Sequence, residues 1–147
     1  MTARLRVFLD SNVLISALIG GSDAAPVILV DWLAGGQPGQ LMTSSMNVAE
    51  VEHNLSRKLS GALPIWQAFL ARSGIKVVPN TRGRTRGINA KDASIVAAAV
   101  RAGATHFVTG DKRLLAEMER SALGSPLQVT PRQMLDVLLR STGPNVS

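Results

Sequence analysis

Ten acidic residues stand against sixteen Lys and Arg in this chain of 147 residues, and four of the ten fall where open α/β sheets do their chemistry. Asp10 follows the apolar run LRVFL and Asp111 follows HFVTG, while Glu50 lies inside an amphipathic stretch and Asp92 in the first turn of another. Ligands of a parallel sheet bind in the crevice outside the carboxyl ends of its strands, so acids directly after strands are informative. Carboxylates drawn from four segments into one crevice repel one another unless a cation sits among them. Mg²⁺ and Mn²⁺ are hard cations that take oxygen ligands of this kind. Two such ions about 3.5–4 Å apart activate a water and stabilise the leaving oxygen in an in-line attack on phosphorus.

Each acid also has an ordinary use. Asp10 can be a polar strand end that starts the next helix. Glu50 can be a solvated helix acid, with Glu52 as a competing choice, and Asp92 can offset a helix dipole. Asp111, in Thr-Gly-Asp-Lys, can be a turn residue. The set carries more weight than any member, because four separate segments supply it.

The elements that must position these acids alternate short β-branched runs with longer helical ones, the pattern of a parallel α/β sheet. Leu5 to Leu9 reads as a first strand and Asn12 to Ile19 as a helix stopped by Gly20-Gly21. Pro26 opens a helix through Leu33, Leu41 to Thr43 is a short strand, and Met46 to Leu59 is a helix capped by Ser44 or Ser45, with Val48, Val51, Leu55 and Leu59 on one stripe. Pro64 to Arg72 reads as a helix and Ile75 to Val78 as a strand. The irregular, Arg-rich segment 79–91 reads as a mobile basic loop. A helix over Lys91 to Arg101, a strand over His106 to Thr109 and a short helix over Arg113 to Glu119 follow. Leu127 to Val129 reads as an edge strand, and Thr130-Pro131-Arg132-Gln133 as a capping box opening a last helix through Leu139. We therefore expect one domain over residues 1–140 and a frayed tail over 141–147.

Composition narrows the classes. With 46% apolar and 18% charged residues the chain is ordinary globular material, while 3% aromatics and no Tyr argue against a base-stacking platform. A net charge of +6 favours a polyanionic partner, nucleic acid first. The absence of Cys excludes disulfides and thiolate chemistry, and His53 and His106 alone cannot build a structural zinc site. The N-terminus does not read as a secretory signal, and runs such as Ala24 to Val30 fall far short of the roughly 20 residues of a membrane helix. A soluble, cytoplasmic protein without membrane association is the expectation. His53, beside Glu52, reads as a surface residue, and Trp32 and Trp66 as core or dimer-interface residues.

The same stretches resemble PIN-domain nucleases over nearly the whole chain. VFLDSNVLISAL at 7–18 is similar to that family's opening strand and helix, with its acid at Asp10 and its helper at Asn12. MTSSMNVAEVEHNL at 42–55 resembles the second motif, with its acid at Glu50. NAKDASIVAAAVRAGATHFVTGDKRLL at 89–115 resembles the third and fourth, with Asp92 and Asp111. The resemblance implies a three-layer α/β/α sandwich with a mostly parallel sheet. It also implies a Mg²⁺- or Mn²⁺-dependent endoribonuclease, frequently the homodimeric toxin of a type II toxin–antitoxin pair silenced by its cognate antitoxin. Asp10, Glu50, Asp92 and Asp111 would be catalytic and hold metal, Asn12 would orient the first acid, and Thr109 would hydrogen-bond within the site. Many relatives carry an acid at the position of Asn89 and another just after the fourth motif, where this chain has Lys112 and Arg113. Arg82, Arg84 and Arg86, with Lys112 and Arg113, are the expected RNA-binding cations.

Three rivals compete with this reading. A receiver-like Mg²⁺-binding signalling domain needs a phosphoacceptor Asp after a middle strand, where this chain has Pro79-Asn80. A haloacid-dehalogenase-type phosphatase wants Asp-x-Asp after the first strand, where this chain has Asp10-Ser-Asn12. A catalytically inactive RNA-binding module would show no metal-dependent cleavage.

Overall fold

In a computed structural model, residues 4–36, 38–85 and 87–141 are described; Arg86 and the segment 142–147 lie outside them. The order is β1 (Leu5–Leu9), α1 (Ser11–Ile19), α2 (Ala25–Leu33), β2 (Gly39–Ser44), α3 (Ser45–Lys58), a 3₁₀ turn (Ser60–Ala62) and α4 (Leu63–Arg72). It continues with β3 (Lys76–Val78), α5 (Ala90–Arg101), β4 (His106–Val108), α6 (Lys112–Ser121), β5 (Leu127–Val129) and α7 (Pro131–Ser141).

The five strands pair in the order β3-β2-β1-β4-β5, and every pairing is parallel. Alternation along each strand sorts its side chains into two cores. Val7 and Leu9, Leu41 and Val108 join the buried faces of α1, α2, α3, α4 and α7. Phe8, Met42 and Phe107 face α5 and α6. Phe8 and Phe107 stack with centroids 5.4 Å apart. Ala93, Ala98 and Ala99, all buried, let α5 lie close on the sheet. These two helical layers around one sheet are the expected α/β/α sandwich. The strand order differs from the 2-1-3-4-5 order of receiver domains, which removes that rival.

Local chemistry sets the boundaries. Ser44 is the residue that caps α3, its hydroxyl accepting from Asn47 N–H at 3.1 Å. Thr130 and Gln133 form the reciprocal box at α7: Gln133 N–H donates to Thr130 Oγ1 at 3.1 Å, and Thr130 N–H to Gln133 Oε1 at 2.9 Å. Along α3 the apolar stripe ends earlier than expected. Val51 and Leu55 are buried, but Leu59 lies past the helix end and is 48% exposed, because the 3₁₀ turn redirects the chain toward α4. Strand β2 is longer than Leu41 to Thr43, and α7 runs through Ser141, beyond the expected Leu139. No described helix is long and apolar enough to cross a membrane.

Candidate active site

Strand order reverses between β1, which leads outward to β2, and β4, which leads to β5, so the carboxyl ends of β1 and β4 flank the switch point of this sheet. Asp10 and Asp111 emerge there. A cleft of about 460 Å³ opens at this rim, and Asp10, Glu50, Asp92 and Asp111 all line it, with Asn12, Lys91 and Arg113.

Asp10 is the floor. It is 7% exposed, and both carboxylate oxygens are held by neutral donors. Ser11 N–H donates to Oδ1 at 2.9 Å, while the Thr109 hydroxyl and the Asn12 amide donate to Oδ2 at 2.8 and 3.2 Å. Asn12 ties the two strand ends together. Its Nδ2 donates to Thr109 Oγ1 at 3.1 Å, and its Oδ1 accepts from Gly110 N–H at 2.9 Å. A Cβ on residue 110 would stand 3.3 Å from that Oδ1, so glycine keeps the approach open. Behind the floor, the Thr43 hydroxyl and Asn47 Nδ2 both donate to the Leu9 carbonyl, at 2.9 and 3.2 Å, fixing the end of β1. Burial pushes the Asp10 carboxyl above its ordinary value. The bonds from Thr109 and Ser11 oppose that rise, and the charges of Asp92 and Glu50 add to it.

The other acids are held differently. Glu50 accepts from the Ser11 hydroxyl and the Lys91 ammonium. Burial pushes Glu50 up, but the bonds from Lys91 and Ser11 and the charge of Lys91 outweigh it, so Glu50 sits below the usual carboxylate range. Lys91 is raised in return, mainly by its bond to Glu50, against a small desolvation and with help from the charges of Glu50, Asp92 and Asp10. Asp92 Oδ2 accepts from Asn89 Nδ2 at 2.9 Å and faces Arg113 Nη2 at 3.4 Å. Asp111 caps α6, its Oδ1 accepting from Arg113 and Leu114 N–H at 2.9 and 3.2 Å. The ordinary uses and the shared cleft thus coincide, since Asp10 and Asp111 cap helices while lining it.

Helix phase decides between Glu50 and Glu52. Two residues apart on α3, they point to different sides: Glu50 into the cleft, Glu52 to the indole N–H of buried Trp66 at 3.2 Å. His53 is exposed on the same helix. Arg82, Arg84 and Lys112 are exposed and do not line the cleft, whereas Arg113 does. Three polar lining residues escaped the sequence reading, Ser11, Asn54 and Lys91. The juxtaposition of Lys91 with Glu50, 41 positions apart, has no local signal.

The donor set is all oxygen, with no His or Cys, which suits one hard divalent cation. Among the described residues no three acidic or histidine groups stand in a ready-made metal cage, and both Glu50 and Asp92 face a basic side chain instead.

A family model described as "PIN domain" matches residues 7–120. Among solved structures, VapBC2 from Rickettsia felis, solved bound to a DNA fragment from its promoter, superposes with a TM-score of 0.65 at 18% identity, covering 86% of this chain and 98% of that one. VapC20 of Mycobacterium tuberculosis, described as a sarcin–ricin-loop-cleaving toxin, gives 0.51 at 19% identity over 75% of this chain and 94% of that one. A PilT N-terminus domain protein from Sulfolobus solfataricus gives 0.55 at 10% identity over 95% and 98%. At these identities the likenesses establish the fold. No curated protein matches the chain.

Proposed function

This chain belongs to the PIN domain family, and on that premise we propose that it is a Mg²⁺- or Mn²⁺-dependent endoribonuclease, the toxin of a toxin–antitoxin pair. The observation that carries the reading is the meeting of Asp10, Glu50, Asp92 and Asp111 at the switch point of the sheet. Asp10, Glu50, Asp92 and Asp111 are the acids that would hold the ion, which when bound supplies an activated water and charge stabilisation at phosphorus. Thr109, Asn12 and Ser11 N–H keep Asp10 in one orientation, so the carboxylate need not reorganise during the reaction. Arg113, at the mouth of the cleft and 64% exposed, can take a substrate phosphate. Arg82, Arg84, Arg86 and Lys112 extend the basic surface for RNA.

The VapC20 likeness favours RNA as substrate, and the VapBC2 likeness and the resemblance of the motifs favour an antitoxin as partner. A groove lined by Leu14, Leu18, Val27, Ile65 and Phe69, with Asp31 and Arg72, shares α1 with the acidic cleft and would be the seat of an antitoxin segment. We also propose a homodimer acting in the cytoplasm. The test is cleavage of RNA by the purified chain with Mg²⁺ or Mn²⁺, and its arrest by EDTA. Cleavage that survives chelation, or no cleavage of any RNA by a folded, metal-loaded protein, rules the reading out.

A further inference from the structure

Lys91 occupies an awkward place in its own helix. Asn89 caps α5, its Oδ1 accepting from Asp92 N–H at 3.0 Å, so Lys91 sits in the first turn. A cation there opposes the helix dipole, whose positive end favours acids. Locally, its neighbour Asp92 offsets this. Across the cleft, the ammonium meets Glu50, which is also fixed by the Ser11 hydroxyl. Lys91 therefore stands among carboxylates from three other segments, and it is the only lysine lining the cleft among the described residues.

Charge balance makes the placement informative. Four carboxylates, Lys91 and Arg113 line the cleft, and with Arg113 shared between Asp92 and Glu117 the formal charge lies between −3 and −2, most of which one divalent ion cancels. A second ion would leave the cleft net positive, and to ligate Glu50 it would have to displace the ammonium. Arg113 does not play the same part. Its guanidinium lies 3.4 Å from Asp92 and 3.6 Å from Glu117, an i,i+4 pair on its own helix, so it is already shared with a residue outside the cleft.

We propose that Lys91 is a built-in cation of the cleft, neutralising Glu50 in place of a second divalent ion, so that this chain works with a single bound metal. The inference rests on the nuclease reading above and specifies it: Glu50 is the partner of Lys91, and the ion belongs to Asp10, Asp92 and Asp111. A neutral side chain at this place would leave Glu50 free to ligate a second ion, whereas the lysine fixes the count at one.

The test counts ions and needs no RNA. Mn²⁺ is titrated into the full chain by calorimetry, with electron paramagnetic resonance to detect ions close enough to couple, for wild type, Lys91→Arg, Lys91→Met and Lys91→Gln. The side chain of Lys91 is 62% exposed, and circular dichroism checks each fold. One ion in wild type and Lys91→Arg, with two coupled ions in Lys91→Met and Lys91→Gln, is the expected result. Two ions in wild type overturn the proposal. One ion in all four proteins also overturns it, even if the neutral variants bind that ion tighter, because Lys91 is then a mere electrostatic neighbour. No ion in any of the four overturns the metal-dependent reading itself, and the proposal with it; the first two failures leave that reading standing.

Discussion

The floor and the rim of the acidic cleft are held by opposite means. At the floor, Asp10 is nearly buried and bound by neutral donors from its own turn and from the end of β4. At the rim, Glu50 and Asp92 are paired with the long, exposed side chains of Lys91 and Arg113. Neutral donors orient a carboxylate without cancelling its charge, so the floor remains an anion waiting for a cation. Paired cations cancel charge directly, so the rim keeps less of it. The difference teaches that the floor fixes geometry while the rim fixes how much charge the cleft will accept.

The sharpest way to break this comparison is at Asp10. Asp10→Asn is nearly isosteric and removes one charge from a set that lacks a substitute. Cleavage should fall by roughly 10³-fold or more, the size expected when several kcal/mol of metal-derived stabilisation are lost. Divalent metal should raise the melting temperature of wild type by mass action and leave Asp10→Asn nearly unmoved. A folded Asp10→Asn protein that still cuts RNA at the wild-type rate contradicts the assigned floor.

Next comes the contrast between orienting and neutralising groups. Thr109→Val keeps the shape but removes the hydroxyl that donates to Asp10 and accepts from Asn12 and Asp111 N–H. Metal affinity should drop about 10- to 100-fold, as for other groups that orient metal ligands. Arg113→Gln at the rim should change metal affinity less than about threefold, and stability by less than about 1 kcal/mol, since its ion pairs are exposed. Equal losses in the two variants, measured by Mn²⁺ titration, would erase the distinction.

A smaller effect separates floor and rim by pH. The Asp10 carboxyl is raised above 3.8, so protons compete for it at a higher pH than for an ordinary aspartate. Glu50 is shifted the opposite way, below 4.5. Binding of Mn²⁺ should therefore be full above the Asp10 value and weaken as pH falls through it, by about tenfold per pH unit for one proton. Titrations from about pH 7 down to about pH 3 would show a midpoint above 3.8. A midpoint at or below that value would mean that burial does not govern the floor.

Much of this was legible because local rules and the global fold agree. Val7 and Leu9 alternate with Phe8 across β1, Gly20 ends α1, and the Thr130–Gln133 box opens α7 where its residues stand. The resemblance of the motifs supplied the four acids, and the sheet order brings them to one cleft. What was not legible depends on distance in sequence. Glu50 and Glu52 could not be separated until Trp66 on α4 claimed one of them. The pairing of Lys91 with Glu50 depends on how α5 lies against α3, which no spacing within either helix encodes. The edge strands β3 and β5, three residues each, differ from their expected bounds by one residue at most, because buried Val78 and Val129 anchor them.

The last prediction concerns the basic segment between β3 and α5, where the smallest change in chemistry is expected. Its described arginines, Arg82 and Arg84, are exposed and outside the cleft, yet the segment is not loose along its length. A Cβ on Gly83 would collide with that of Ala97 on α5, and Ile88 is buried in the core beneath α5 and α6. A backbone seated in this way would present its arginines to RNA at a constant distance from the acids of the cleft. Replacing Arg82, Arg84 and Arg86 by Ala should then weaken RNA binding and flatten its salt dependence by about two units of slope, at about 0.7 for each single-strand phosphate no longer neutralised. Turnover at saturating RNA should stay within about twofold, because the acids and the donors around Asp10 are untouched. RNA affinity is measured against salt with Asp10→Asn in both proteins to prevent cutting. Superimposed lines would show that these arginines face only solvent, leaving Arg113 and Lys112 to hold the substrate.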